Sequence, residues 1–111
     1  GLVRPSQLEI YRMKADGTDV VQLTDNGAAN FGPYPMPDAS GFVFSSNVGD
    51  SPREFDIFHV GRDGGELERI TYTEQFDGFP MFSPDGQWLV FGSNRGGTEG
   101  STNLFIARWV D

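Results

Sequence analysis

An all-β fold assembled from repeated short antiparallel strands is predicted by three features of this chain. Fifteen Gly, seven Pro and 14% aromatic residues, in a sequence that is 37% hydrophobic, favour many turns over long helices. A shift of 47 positions lays several separate segments onto one another without a gap. Short apolar runs stop at turn-forming clusters such as Pro84-Asp85-Gly86 and Asp63-Gly64.

The repeat is explicit in the residues. Pro33 to Asn47 falls on Pro80 to Asn94, with Pro33/Pro80, Pro37/Pro84, Asp38/Asp85, Phe44/Phe91 and Asn47/Asn94 identical. The same shift carries Ile10-Tyr11-Arg12-Met13 onto Ile57-Phe58-His59-Val60 and then onto Leu104-Phe105-Ile106-Ala107. Asp16-Gly17 meets Asp63-Gly64, and Leu23-Thr24 meets Ile70-Thr71.

Each period reads as four strands. The first covers about 79 to 83 and ends at Pro84-Asp85-Gly86, where Pro presets φ and Gly accepts a positive φ, giving a hairpin turn. The second is Trp88-Leu89-Val90-Phe91, or Phe42-Val43-Phe44 one period earlier; an unbroken apolar run calls for cover on both faces. The third is Ile57-Phe58-His59-Val60, closed by a turn at Gly61 to Gly65. The fourth, about 67 to 71, is half polar, as suits an outermost strand. Sheets whose inner strands are apolar on both sides must each lie between two others. A radial stack provides this, so the period is a four-stranded antiparallel blade of a β-propeller. A single β-sandwich would instead show alternating inner strands and would need no strict period.

The 111 residues hold about 2.4 periods, an incomplete ring. Residues 1–30 are the second half of a blade (its third and fourth strands), 31–77 a complete blade, and 78–111 a blade lacking its outer strand. The phase suggests the C-terminal part of a longer propeller. Uncapped arrays this short expose apolar blade faces. The expected partners are therefore the missing blades of the parent propeller or homo-oligomeric copies of this chain, three of which would close a six-bladed ring.

The stretches Phe79-Pro80-Met81-Phe82-Ser83-Pro84-Asp85-Gly86 through Asn94-Arg95-Gly96, and Glu9-Ile10-Tyr11-Arg12-Met13-Lys14-Ala15-Asp16-Gly17-Thr18 to Gln22-Leu23-Thr24, resemble the TolB-like propeller repeat. The resemblance covers nearly the whole chain. The second period departs from it, with Met36-Pro37-Asp38-Ala39-Ser40-Gly41 and a longer loop from Val48 to Phe55. It implies a bacterial, exported, periplasmic or envelope-associated scaffold that binds a protein or peptide without catalysis. The alternative it leaves open is the propeller domain of an enzyme: the gating propeller of a prolyl-oligopeptidase or tricorn-type protease, or a propeller lyase.

The residues narrow the chemistry. Eight basic against sixteen acidic side chains, net charge -8, is the wrong sign for nucleic acid or an anionic membrane, and no apolar run is long enough to span a bilayer. Zero Cys removes disulfides and thiolate sites. His59 is the one histidine, no G-x-S-x-G elbow is present, and the carboxylates gather at turns, so no catalytic residue is assigned. Asp38 and Asp85 are expected to bond their own turn backbones. Asp50, Glu54 and Asp56 could offer oxygens to a cation, but solvated loop charges account for them as well; no metal or cofactor is assigned. Binding remains. The long loops, 25–32, 46–55, 72–79 and 93–102, share one face, where Asn30, Phe31, Asn47, Phe76, Asp77, Asn94 and Arg95 supply aromatic and polar groups. Their competing role is to fasten neighbouring blades.

Overall fold

The computed structural model describes residues 7–96 and 100–110. Residues 1–6 of the expected first half-blade and 97–99 of the last long loop lie outside the described residues. Among the described residues there is no helix, and nine strands run in chain order: β1 Tyr11–Arg12, β2 Val21–Gln22, β3 Asn30–Pro35, β4 Gly41–Ser46, β5 Asp56–Gly61, β6 Gly64–Arg69, β7 Asp77–Phe82, β8 Trp88–Ser93 and β9 Asn103–Arg108. They form three meandering antiparallel sheets, β1-β2, β3-β4-β5-β6 and β7-β8-β9, with no closed ring.

Registers repeat between sheets. Phe44 pairs with Phe58 and Phe91 with Phe105, each an aromatic pair one period apart, stacked at 6.2 and 6.1 Å. The second and third sheets converge where β7 packs on β3 and β4 and part toward β6. β3 and β7 are thus the inner strands, and β6 the outer one.

Two cores fill the seams between sheets. Ile10 and Leu23 of the first sheet meet Phe44, Phe58 and Val60 of the second. Val43 and Ile57 of the second meet Phe82, Leu89 and Phe91 of the third. Successive residues of a strand point to opposite faces, so Val43 serves one seam and Phe44 the other. That is why β4 reads as an unbroken apolar run. Burying each large side chain contributes about 1.5–3 kcal/mol. Phe44 and Phe91 accordingly sit in matching slots of successive wedges and share no common interior.

Several strand bounds differ from those read in the sequence. The fourth strand begins at Gly64, so the turn after β5 is reduced to Arg62-Asp63 and both Gly64 and Gly65 join β6, at φ 91 and 100°. The glycine pair reads as a turn in sequence, but the cross-strand pairing of Gly61 with Gly64 draws it into the sheet. The first strand starts two residues earlier than expected and ends at Phe82, because Ser83 bonds Trp88 across the hairpin mouth. β1 and β2 are two residues each. The turns behave as expected: Asp38 Oδ1 accepts the Ser40 N–H at 3.0 Å and Asp85 Oδ1 the Gln87 N–H at 3.0 Å.

Candidate functional site

The seven residues assigned to the long-loop face divide into two groups. Five are tied into the seams. Asn30 is buried; its amide donates to Leu8 O at 2.8 Å, Asn26 Oδ1 at 2.8 Å and Glu9 Oε1 at 3.0 Å, and its oxygen accepts from Ser46 Oγ at 2.7 Å. Asn47 Oδ1 accepts the Ala29 N–H at 2.8 Å, and one period later Asn94 Oδ1 accepts the Phe76 N–H at 3.0 Å. Asp77, fully buried, accepts from Arg95 Nη2 at 2.7 Å and Thr73 Oγ1 at 2.9 Å. Arg95 also lies over the Phe91 ring at 5.0 Å.

These bonds form a repeated clasp around the connection from one blade to the next. In the first seam Glu9 holds Thr24 Oγ1 at 2.7 Å and the N–H groups of Asn26 and Gly27 at 3.1 and 2.9 Å. In the second, Asp56 takes the same place, accepting from Thr73 N at 2.9 Å, from Thr71 Oγ1 at 3.2 Å and from Arg69. Asp56 therefore turns into the seam and does not join Asp50 and Glu54. Among the described residues no group of three metal-ligating side chains is present. The first clasp pairs one acid with Asn30, whereas the second holds two acids, Asp56 and Asp77, against two arginines, Arg69 and Arg95. Burial opposes the Asp77 charge most strongly. The hydrogen bond from Arg95 first, with the nearby Ser93, Thr71 and Thr73 hydroxyls, outweighs it and holds the carboxyl below its ordinary range, although Asp77 Oδ1 is buried without a hydrogen-bond partner among the described residues.

Phe31 and Phe76 belong to a different arrangement. With Phe55 and Phe79 they make a closed quartet of rings: Phe31 lies 5.5 Å from both Phe55 and Phe79, Phe55 lies 5.8 Å from Phe76, and Phe76 lies 6.2 Å from Phe79. The quartet bridges β3 and β7 at the loop end of the inner strands. Three members are half-buried, while Phe79 is 59% exposed.

Phe79 is also conformationally unusual. The pairing of β3 with β4 slips between Phe31 and Tyr34, and that of β7 with β8 between Gly78 and Met81. The bulge places residue 32 or 79 at positive φ. Gly32 occupies it at 63° at ease; Phe79 occupies it at 53°, a left-handed conformation costly to a bulky side chain by about 1–3 kcal/mol. Its N–H is held by Ser45 Oγ at 3.0 Å, so blade two fixes blade three in this state.

The sequence reading missed Glu9, Asp56, Thr24 and Thr71 as the clasp, and Phe55 and Phe79 as half of the quartet. The signal for the clasp was there: Glu9/Asp56, Thr24/Thr71, Asn30/Asp77 and Ser46/Ser93 are each 47 residues apart. His59 lies in mid-β5, paired across the sheet with Val43 and Glu68.

Wedge-packed sheets with inner and outer strands and a repeated clasp are blades of a β-propeller. The propeller is TolB-like. A candidate TolB from Agrobacterium tumefaciens superimposes with a TM-score of 0.77 and 27% identity over 96% of this chain and 39% of that one. TolB from Acinetobacter baumannii does so with a TM-score of 0.71 and 20% identity over 90% of this chain. An uncharacterized protein of Agrobacterium fabrum, Atu1656, is 35% identical over 54 residues, 46% of this chain and 18% of the relative. The chain thus spans well under half the length of each, 24% for the Acinetobacter protein. No family model matches the sequence.

Proposed function

We propose that these blades are a non-catalytic scaffold module that binds a protein or peptide on the long-loop face, in the periplasm or cell envelope of a bacterium. Localisation rests on the TolB likeness alone. The observation that carries the binding reading is Phe79: an exposed aromatic ring kept in a strained backbone state where the neighbouring blade uses glycine. Strain of this kind persists when the surroundings enforce it and is concentrated at ligand-contacting positions. The polar residues nearby are bonded within the clasp, Asp77 through Oδ2 while its Oδ1 is buried without a partner among the described residues, so a partner would be gripped by the ring quartet. The open blade faces would be covered by further blades of the parent or by further copies of the chain.

Phe79→Gly tests this directly, since it installs the residue that blade two uses. A phage-displayed peptide library is selected on the chain and counter-screened on Phe79→Gly. Peptides retained by the chain and released by the variant, with the variant's Tm equal or higher, support the reading. A variant that loses stability and binds the selected peptides unchanged sinks it, and the same contrast applies to Phe31→Ala and Phe76→Ala.

A further inference from the structure

Two outer segments of this chain are fastened to their sheets by the same set of bonds. Ile10 O accepts the N–H groups of Leu23 at 2.8 Å and Thr24 at 3.4 Å, and Thr24 Oγ1 accepts the Ile10 N–H at 2.8 Å. One period later Ile57 O accepts from Ile70 at 2.8 Å and Thr71 at 3.4 Å, and Thr71 Oγ1 accepts the Ile57 N–H at 2.9 Å. Each threonine hydroxyl then donates to the acid that precedes the isoleucine, Glu9 at 2.7 Å and Asp56 at 3.2 Å. An aliphatic residue followed by threonine thus occupies both main-chain groups of one strand residue and the side chain before it.

Leu104 is the third member of this series. It lies 47 residues beyond Ile57 and pairs with Gly92 as Ile57 pairs with Ser45. Bonding alternates along an antiparallel ladder, so the common register turns the Leu104 N–H and carbonyl away from β8. Among the described residues β9 is the edge of its sheet, and no outer strand lies beside it. Asn103 stands where Glu9 and Asp56 stand, and its amide oxygen can accept a hydroxyl. Leu104 and Ile106 share one face of β9, and both are exposed. An unpaired edge of six residues beside two bare aliphatic side chains is a template for another strand.

We propose that the β9 edge binds an extended segment of another polypeptide that ends in leucine or isoleucine followed by threonine. The N–H of its aliphatic residue bonds Leu104 O. Its threonine hydroxyl takes the Leu104 N–H and donates to Asn103. Its aliphatic side chain lies on the face of Leu104 and Ile106, as Ile70 shares the seam with Ile57. In strand addition of this kind the main-chain bonds supply affinity and the side-chain match supplies selectivity. A second copy of this chain is a poor donor. Its aliphatic-threonine pairs are Leu23-Thr24 and Ile70-Thr71, and both are engaged in their own sheets. The edge is independent of the ring quartet, which lies at the inner strands β3 and β7.

The probe is a fluorescein-labelled peptide of residues 65–72, Gly-Glu-Leu-Glu-Arg-Ile-Thr-Tyr, added to the full chain. Anisotropy should give saturable binding with Kd on the order of 0.1 mM. At about ten times Kd, amide exchange at Leu104 should slow about tenfold, while Ile57, already bonded, is unchanged. Replacing the peptide's threonine by valine, or N-methylating its isoleucine, should each weaken binding about fivefold. Leu104→Pro removes the edge N–H where proline is tolerated and should weaken binding at least as much. Where that variant does not fold, the two modified peptides carry the decision, since they leave the chain untouched. Equal affinity of all three peptides, or binding without slower exchange at Leu104, overturns the proposal. Protection of Leu104 that rises with chain concentration and needs no peptide assigns the edge to a second copy and overturns it equally.

Discussion

Ile57 and Leu104 occupy the same strand slot one period apart, yet Ile57 is 0% exposed and Leu104 is 78% exposed. The third sheet covers Ile57; among the described residues nothing covers Leu104. At the other end Tyr11 and Met13, in the slots of Phe58 and Val60, are exposed as well. The two ends are thus opposite halves of one kind of seam. Ile57→Ala should cost about 2–5 kcal/mol, against at most about 0.5 kcal/mol for Leu104→Ala, read by urea unfolding at low protein concentration. Heterologous faces of this kind stack head to tail. Light scattering should show mass rising with concentration, and Leu104→Asp should reduce it; a concentration-independent monomer would remove the copy-to-copy reading.

Ala39 and Gly86 stand in the same hairpin position, at φ 61 and 73°. Alanine is strained there and glycine is not. Ala39→Gly should raise stability by about 1 kcal/mol, since relief of the left-handed strain exceeds the extra entropy of the unfolded chain. A thermal melt decides it. A lower Tm would mean that the Ala39 methyl makes a contact worth more than the strain.

The lowered carboxyl of Asp77 fixes a sign for pH dependence. A group whose folded pKa lies below its ordinary 3.8 stabilises the fold above that value, and the contribution is lost as pH falls through the folded pKa. Asp16, Asp38 and Asp85 shift in the same direction through turn hydrogen bonds. Stability should therefore fall as pH drops below about 4, with little change from pH 5 to 7. Asp77→Asn should cost about 1–3 kcal/mol at neutral pH and progressively less toward the acid end. A constant difference between the two proteins at every pH would contradict this account of the clasp.

The fold was legible because a seam needs apolar residues on both faces of β4 and β8, and Phe42-Val43-Phe44 and Trp88-Leu89-Val90-Phe91 state that need openly. The site was legible in part. Phe31 and Phe76 are aromatic and fall in segments that the sequence reads as loops, 25–32 and 72–79, which points to a surface role, although Phe31 belongs to β3; Asn30 and Asp77 look equally ready to bind a ligand until the bonds of Asn30 to Glu9 and Ser46 and of Asp77 to Arg95 are seen. The repeat also pairs Gly32 with Phe79. Sequence alone does not reveal that the position needs a positive φ, because the requirement comes from a register slip against β4 and β8.

Gly41 gives the sharpest steric prediction. It opens β4 and faces Gly61 across the pair, and a Cβ added there would come within 2.2 Å of the Val60 carbonyl oxygen and 2.8 Å of His59 Nε2. The His59 ring can rotate aside, but the carbonyl belongs to the β5 backbone and moves only with the strand. Gly41→Ala should therefore push β4 from β5 at the end of the sheet next to the β3-β4 turn, at a cost of about 1–3 kcal/mol. Adding His59→Ala should recover little of that loss, because the backbone oxygen is the closer obstacle. Amide exchange would localise the effect, with faster exchange at Arg62, whose N–H bonds Ser40 O at 3.0 Å, and near-normal protection at Ile57 in the far half of β5. Full recovery of stability in the double variant would assign the clash to the imidazole instead.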